Sequence, residues 1–180
     1  HAHGDSSDGP VHRFAASSMT FDPVEICAVL VDEGVDFVVV GGFAAIMHGS
    51  PLPTEDIDVI PSRDTENIER LASALQRMDA KIRTGDEPIE TKLDAAFIQN
   101  MPHMLNLVTR FGDMDLVFTP AGTLKSYEQW LERARRAQLR EGLVVAVADL
   151  DDIIASKTAA NRPKDQRALP YLESLRDQLG

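Results

Sequence analysis

Residues 35–60 constrain the fold more than any other stretch of the chain. A short run of mostly β-branched residues, Val35 to Val40, ends at two consecutive glycines, Gly41 and Gly42. A run of this length bounded by turn residues predicts a buried strand, and the glycines let the backbone turn sharply. Residues 43–48 then read as a short helix, which a segment containing one glycine and two prolines ends. Backbone N–H groups at such a turn are uncovered by side chains, an arrangement that suits a phosphate.

The next strand alternates acidic and apolar side chains. Ile57 and Val59 face one side of it, and Asp56 and Asp58 face the other. Side chains two positions apart on a strand share a face, with Cα atoms roughly 6.5–7 Å apart. Two carboxylates so placed can hold one or two hard divalent cations against a triphosphate. An isolated Asp-x-Asp is more typical of a solvated strand face, but the Gly-Gly turn ahead of it favours a metal site.

Composition sets the broad class of protein. The chain has 180 residues, 43% of them apolar, which predicts one domain with a substantial core. Its single cysteine, Cys27, cannot form an intramolecular disulfide and is typical of a cytoplasmic protein. No segment approaches the ~20 apolar residues of a membrane span. Residues 1–18 are polar and predict a flexible leader or cloning remnant, with Met19 as the native start and residues 19–180 as the domain.

The charge distribution divides the chain into an acidic and a basic part. The net charge is −11, and it argues against a general nucleic-acid-binding surface. Residues 1–122 carry 8 basic and 20 acidic side chains, whereas residues 123–167 carry 9 basic and 7 acidic ones. An acidic half facing a basic half would suit a metal–triphosphate complex. An unevenly charged solvated surface is the equally favoured alternative.

Periodicity and turn residues predict the remaining elements. The segment from Ala80 to Met101 fits no regular pattern and predicts a mobile loop or a short helix over the site. One helix is predicted from Asp22 to Glu33, burying Val24, Cys27, Ala28 and Val31, and another from Asp64 to Met78, burying Ile68, Leu71, Leu75 and Met78. A further helix is predicted to begin at Ser126, burying Tyr127, Trp130, Leu131 and Ala134. At the end of that helix and beyond lie Arg133, Arg135, Arg136 and Arg140. Strands are predicted at Met104–Arg110, Met114–Phe118 and Leu143–Val147, followed by a helix capped by Asp149 and a last helix with Leu172, Leu175 and Leu179.

Two charged residues fall on otherwise apolar patterns. Asp115 lies on a strand between apolar neighbours and needs a partner there. Lys157 falls on the same helix face as Leu150, Ile153 and Ile154, so its ammonium either reaches back to water or points into a polar cavity. His48 closes the short helix, where a structural hydrogen bond is favoured over catalysis.

The order of a Gly-Gly turn, a short helix and Asp-x-Asp on the next strand resembles the nucleotidyltransferase superfamily with the polymerase β-like fold. The sequence motif Gly-Gly-x-Ala-x-x-x-His-Gly, followed by Thr-x-Asp-Ile-Asp, is most similar to that of the AbiEii-type branch, which includes bacterial toxins. The segment Ser156-Lys157-x-Ala159-Ala160-x-Arg162-Pro163-Lys164-Asp165 is similar to the C-terminal motif of that branch. The resemblance implies an α/β (α+β) fold, with a mixed β-sheet, packed helices and a C-terminal helical segment.

The resemblance also implies an activity and a metal site. The activity is transfer of a nucleoside monophosphate from a nucleoside triphosphate to a hydroxyl, with release of pyrophosphate. Asp56 and Asp58 are then the ligands of two Mg²⁺ or Mn²⁺ ions. Asp115, in the pattern Gly-x-x-Asp-Leu, is implied as the third metal ligand, which shares the catalytic ion and helps to deprotonate the acceptor.

The nucleotide-binding residues follow from the same resemblance. Lys157 is implied to bind the nucleotide phosphates, and Gly41 and Gly42 let backbone donors approach them. Asp165 either anchors Lys157 or belongs to the acceptor side. Many superfamily members have serine at the position of Gly42, and relatives of the branch often carry arginine at the position of Leu52. These two departures support a non-enzymatic alternative, a nucleotide-binding or partner-binding module that has lost catalysis.

The resemblance leaves the acceptor open. It implies RNA, such as a tRNA 3′ end, as the acceptor of a toxin in a toxin–antitoxin system with a cognate antitoxin. A basic track formed by the arginines of residues 133–140 with Arg162, Lys164 and Arg167 would serve such an acceptor. The alternative is a small molecule such as an aminoglycoside, which would suit an acidic cleft, or a protein hydroxyl.

Overall fold

The computed structural model describes residues 20–180, and these form one mixed β-sheet with helices packed against it. The predicted leader and the start at Met19 lie outside the described residues. The strands are β1 (Phe37–Val40), β2 (Asp56–Pro61), β3 (Lys81–Ile82), β4 (Met104–Thr109), β5 (Gly112–Val117), β6 (Arg135–Arg140) and β7 (Leu143–Val147). The helices are α1 (Pro23–Asp32), α2 (Gly41–Met47), α3 (Thr65–Arg77), α4 (Ala95–Gln99), α5 (Tyr127–Arg133), α6 (Leu150–Ala160) and α7 (Pro163–Leu179).

The seven strands described have the order β3-β4-β5-β2-β1-β7-β6. Strand β1, in the interior of the sheet, is buried throughout and pairs antiparallel with β2 and parallel with β7. On its other side β2 pairs parallel with β5, in a register that puts Asp58 directly opposite Asp115. The predicted α/β class, with a mixed sheet and C-terminal helices, is confirmed.

The buried face of α1 differs from the predicted one. The helix begins after Asp22, whose side chain accepts a hydrogen bond from the Glu25 N–H, and Pro23 occupies its first turn as predicted. Its buried residues are Ile26, Cys27, Val29 and Leu30, so only Cys27 was assigned correctly. Because the helix is apolar on nearly every side, its periodicity selects no face, and packing against the sheet decides which residues are buried.

The arginine-rich segment predicted at the end of the helix from Ser126 and beyond divides in two: Arg133 ends α5, whereas Arg135–Arg140 form a strand that was not predicted. The backbone leaves the helix at Ala134, where φ is −69° and ψ is 154°. Residues 135–140 then pair antiparallel with β7 as the edge strand β6. Arginine favours helices as an isolated residue, but pairing with a strongly β-forming neighbour overrides that preference. Of the four residues predicted to be buried on α5, Trp130 alone is fully buried.

No helix within residues 20–180 is both long enough and apolar enough to cross a membrane.

Candidate active site

Three carboxylates meet where β2 and β5 run side by side. Asp56 and Asp58 project from the same face of β2, and the parallel register brings Asp115 of β5 next to them. One oxygen from each of the three side chains lies within 4.8 Å of the others. Asp115 is buried, and both of its strand neighbours are apolar and buried as well. The three residues predicted to bind metal are therefore brought together in one cluster.

This carboxylate cluster (Asp56, Asp58 and Asp115) is electrostatically unbalanced. Burial, followed by the charges of Asp56 and Asp115, raises the pKa of Asp58 to about 8. Burial also raises the pKa of Asp115, and it outweighs the opposing hydrogen bond and charge of Arg83. A shift in this direction means that the ionised forms are disfavoured, first by burial and then by the charges of the neighbouring carboxylates. The cluster thus has the oxygen donors and the excess negative charge that a hard divalent cation requires.

The first glycine of the turn makes room for this cluster. Gly41 has a φ of +69°, which a residue with a side chain rarely adopts. A Cβ atom at this position would overlap the Oδ2 atom of Asp58. The helix begins at Gly41 itself, two residues earlier than predicted, so the turn and the first turn of α2 coincide. Glycine is therefore needed at this position for both backbone and space.

The second glycine packs against a hydroxyl group. A Cβ atom at Gly42 would lie 3.0 Å from Thr54 Oγ1, tighter than ordinary van der Waals contact. This hydroxyl donates a hydrogen bond to the Asp56 carbonyl at 3.0 Å. The space that a serine side chain at position 42 would use is thus occupied by Thr54, which also holds the backbone of Asp56 in the carboxylate cluster. Leu52, the other departure from the resembled family, lines the cavity in front of the cluster.

A second charged cluster, formed by Lys157, Arg162 and Asp165 and called here the lysine cluster, faces the cavity from α6 and α7. Asp165 is fully buried and accepts hydrogen bonds from the Arg162 N–H at 3.1 Å and from its Nε at 2.8 Å. Lys157 Nζ lies 3.5 Å from Asp165 Oδ1, with 16% of its side chain exposed. Of the two roles predicted for Asp165, the geometry matches the anchor of Lys157.

The lysine cluster is internally balanced. Burial on its own raises the pKa of Asp165, but the hydrogen bonds from Arg162 and the charges of Arg162 and Lys157 outweigh burial, so the pKa lies below its ordinary value. The carboxylate of Asp165 is therefore stabilised as an anion. Lys164, between these residues in sequence, is exposed, and its charge opposes the rise in the pKa of Asp58.

Both clusters line one cavity of about 1120 Å³. Typical small-molecule pockets enclose roughly 300–1,000 Å³, so this cavity has room for more than one small substrate. Its lining includes acidic residues of β2 and β5 and cationic residues of α6 and α7. All seven residues predicted for the site lie at this cavity: Gly41, Gly42, Asp56, Asp58, Asp115 and Lys157 line it, and buried Asp165 contacts Lys157 from behind.

Sequence reasoning missed Arg83, in the segment that fitted no pattern. Its Nη2 atom lies 2.5 Å from Asp115 Oδ1, and its Nη1 donates to the Leu107 carbonyl at 2.9 Å. No local signal identifies it, because the two-residue strand β3, which directly precedes Arg83, is placed by pairing with β4 and not by a pattern of its own.

His48 has the structural role that was favoured: its Nε2 donates to the Ala148 carbonyl at 2.7 Å.

Comparison with known proteins first defines the fold class. The structure of the lincosamide antibiotic adenylyltransferase LnuA, lincomycin-bound, superposes with a TM-score of 0.57 at 12% identity, covering 85% of this chain and 95% of that one. The structure of ANT(2″)-Ia in complex with adenylyl-2″-tobramycin gives a TM-score of 0.57 at 13% identity, covering 88% and 87%. At such low identity the likeness establishes the shared fold alone.

A family model then identifies the chain. The family described as "Nucleotidyltransferase of unknown function (DUF6036)" matches residues 25–173, and the chain belongs to this family. It is therefore an enzyme of the nucleotidyltransferase class, as predicted. No curated protein matches the chain in sequence. The family that matches is not the AbiEii-type branch, so membership of that branch stays a prediction.

Proposed function

We propose that this chain transfers a nucleoside monophosphate from a nucleoside triphosphate to a hydroxyl group of a small molecule, in a metal-dependent reaction that releases pyrophosphate. The observation that carries the proposal is the carboxylate cluster, with three oxygens within 4.8 Å, at the wall of a cavity that also presents Lys157. A nucleotidyltransferase needs these two elements, a cation site and a phosphate-binding cation, on opposite sides of the reacting phosphate.

Asp56, Asp58 and Asp115 fit a divalent cation, Mg²⁺ or Mn²⁺. Their oxygens are close together, and the raised pKa of Asp58 reflects negative charge that the protein leaves uncompensated. When bound, the cation supplies Lewis-acid chemistry, which lowers the pKa of an acceptor hydroxyl and neutralises charge on the phosphates. Gly41 keeps the space beside Asp58 free for this arrangement.

The cationic side of the cavity is proposed to bind the triphosphate. Asp165 restrains the Lys157 side chain at 3.5 Å, so the ammonium is preorganised and does not have to be ordered when the nucleotide binds. A fixed cation at the β- and γ-phosphates stabilises the charge that develops on the leaving pyrophosphate. Backbone N–H groups of Gly41 and Gly42 are proposed to contact the same phosphates from the side of α2.

A small-molecule acceptor is favoured over a macromolecule by the shape and charge of the cavity. LnuA is described as a lincosamide antibiotic adenylyltransferase, and ANT(2″)-Ia was solved with an adenylylated tobramycin. The present cavity, at about 1120 Å³, has room for a nucleotide and a small acceptor together, and Glu55 adds a fourth carboxylate to its lining. An acidic wall attracts an acceptor that carries amino groups as well as hydroxyls. We therefore propose a polyhydroxylated amine as the acceptor class.

RNA is the second candidate, because Arg162, Lys164 and Arg167 line the cationic side of the cavity. Of the four arginines that the track was predicted to take from residues 133–140, three are already paired with carboxylates. Arg133 contacts Asp152 at 2.7 Å, Arg135 contacts Asp149 at 3.4 Å and Arg140 contacts Glu25. Paired arginines contribute little to phosphate binding, so a tRNA acceptor, the AbiEii-type toxin role and a cognate antitoxin have weaker support than the small molecule.

The proposal is tested with purified protein, Mg²⁺ and each nucleoside triphosphate labelled at the α-phosphate. A panel of polyhydroxylated amines, total bacterial RNA and the protein itself are supplied as acceptors. We expect label on a small molecule, and none with Asp58→Asn, whose fold is checked by circular dichroism. Label in a discrete RNA band would select the second candidate, and label on protein would select a protein hydroxyl. Triphosphate binding with no transfer to any acceptor would indicate a lapsed enzyme and overturn the proposal.

A further inference from the structure

Arg83 is the one cation in direct contact with the carboxylate cluster in the described part of the chain. Its guanidinium lies 2.5 Å from Asp115 Oδ1 and 3.7 Å from Asp113 Oδ2. The hydrogen bond to the Leu107 carbonyl at 2.9 Å holds the same group against strand β4. With 27% of its side chain exposed, Arg83 is largely enclosed by the cavity wall. This is a two-point anchor, which a flexible surface arginine would not have.

This position brings Arg83 into conflict with a metal ion. Asp115 is one of the three residues that would hold the cation, and its Oδ1 atom is already bound by the guanidinium. Two positive charges a few ångströms apart in a partly buried site repel each other strongly. The repulsion acts on free metal, because free metal brings two positive charges and no negative ones. A metal–triphosphate complex carries a net negative charge, which removes the penalty.

We infer that Arg83 is a positioning residue that holds Asp115 and makes the site select a metal–triphosphate complex over free metal. The inference rests on the proposed function. It assigns the selection between these two ligands to a residue outside the predicted site. Arg83 holds Asp115 against β4 and weakens the binding of free divalent cation. The cation then binds together with the nucleotide.

The experiment measures metal binding directly, without turnover. Free Mn²⁺ is quantified by electron paramagnetic resonance during titration of wild type, Arg83→Gln, Arg83→Lys, Arg77→Gln and Asp58→Asn at mildly alkaline pH. Arg77 is the matched control, because it is an exposed, carboxylate-paired arginine on α3. Binding of Mn²⁺ with inorganic tripolyphosphate is followed by the fluorescence of Trp130, the single tryptophan, which lines the cavity.

We expect Arg83→Gln to bind Mn²⁺ alone roughly tenfold more tightly than wild type, because one repelling charge is removed. Its affinity for the Mn²⁺–tripolyphosphate complex should not improve, so the preference for the complex falls. Arg83→Lys keeps the charge and should keep the weak binding of free Mn²⁺, although it cannot make both contacts of the guanidinium. Arg77→Gln should match wild type in both measurements.

The outcomes separate this inference from the proposed function. If wild type and Asp58→Asn bind Mn²⁺ equally, no metal is held by the carboxylate cluster, and the proposed function and the inference are both overturned. If Asp58→Asn loses Mn²⁺ but Arg83→Gln binds it no more tightly than wild type, the inference alone is overturned. Should Arg83→Gln fail to fold, Arg83→Lys decides, since binding of free Mn²⁺ well above wild type would contradict a role for the charge.

Discussion

The carboxylate cluster and the lysine cluster lie at one cavity, and they differ in charge balance. In the carboxylate cluster, burial and mutual repulsion raise the pKa of Asp58 to about 8. In the lysine cluster, the hydrogen bonds and charges of Arg162 and Lys157 lower the pKa of Asp165 below its ordinary value. The carboxylate cluster has three carboxylates and one contacting cation, Arg83, whereas in the lysine cluster two cations surround a single carboxylate. The difference supports the proposal that the first cluster binds an external cation and that the second holds the largely enclosed ammonium of Lys157 in place.

The same difference bears on stability. Buried like charges destabilise the folded state unless a ligand neutralises them, and retaining such a group costs stability for the sake of function. A buried carboxylate that accepts charged hydrogen bonds contributes stability instead. Neutralising one carboxylate should therefore stabilise the fold in the carboxylate cluster and destabilise it in the lysine cluster.

The largest expected effect comes from Gly41→Ala, which tests whether the carboxylate cluster tolerates any displacement. The added methyl group would overlap Asp58 Oδ2, so Asp58 must move. A shift of about 1 Å at a reacting centre costs roughly a hundredfold in rate. We expect nucleotidyl transfer to fall by about that factor or more, measured as pyrophosphate release under saturating nucleotide and metal.

Gly142→Ala is the matched control for this substitution. Gly142 has a φ of +77°, close to the +69° of Gly41, but nothing lies within 4 Å of the Cβ atom that alanine would add. Both variants carry the same backbone strain, of order 1 kcal/mol. Equal activity losses in the two would show that strain alone matters, and that the space beside Asp58 does not.

The second prediction compares Asp58→Asn with Asp165→Asn in chemical denaturation without metal. Above about pH 8, where the Asp58 carboxyl is ionised, Asp58→Asn removes a buried repelling charge and should stabilise the fold by about 1–2 kcal/mol. Asp165→Asn weakens charge-assisted hydrogen bonds from Arg162 and leaves Lys157 unpaired, and should destabilise it by about 2 kcal/mol. Asp177→Asn, at an exposed carboxylate, should change the free energy of unfolding by less than about 0.5 kcal/mol. Two changes of the same sign would break the contrast between the clusters.

Much of this site could be predicted from the sequence, because its geometry depends on short-range pattern. The alternation of Asp56 and Asp58 with apolar residues defines a strand face, and Gly41 marks the turn ahead of it. Asp115 stood out as an acidic residue among apolar neighbours. The order of strand, turn, helix and strand carried the family resemblance that predicted the fold class, and the seven-stranded mixed sheet confirms that class.

What the sequence could not provide depends on tertiary pairing. Arg83 directly follows an edge strand of two residues, Lys81–Ile82, which is too short for any periodicity to reveal. Residues 135–140 form a strand only because β7 is available as a partner. The face of α1 was assigned wrongly because the helix is apolar almost all round. In each case the deciding interaction lies with residues distant in sequence, so a local pattern contains no information about it.

The smallest predicted effect concerns the pH dependence of thermal stability. The folded-state pKa of Asp58, about 8, lies above the unfolded value of about 3.9, so its protonated form stabilises the fold at low pH. That stability is lost as the pH rises through about 8. The folded-state pKa of Asp165 is lowered, so its contribution is complete above the unfolded value and is lost only as the pH falls into the acid range. Of the two clusters, therefore, the carboxylate cluster alone should make the free energy of unfolding depend on pH between about pH 5 and pH 8.

Melting curves of wild type and Asp58→Asn across this range, with and without Mg²⁺, measure that slope. Metal-free wild type should lose stability relative to Asp58→Asn as the pH rises, and Mg²⁺ should restore it, by about 4 °C at the alkaline end and by less at the acid end. Protons and the cation compete for the same carboxylates, so stabilisation by Mg²⁺ must grow as protons leave. A Mg²⁺ effect that is equal at all pH values, or that persists in Asp58→Asn, would place the cation somewhere other than the carboxylate cluster and remove the reason for the contrast with the lysine cluster.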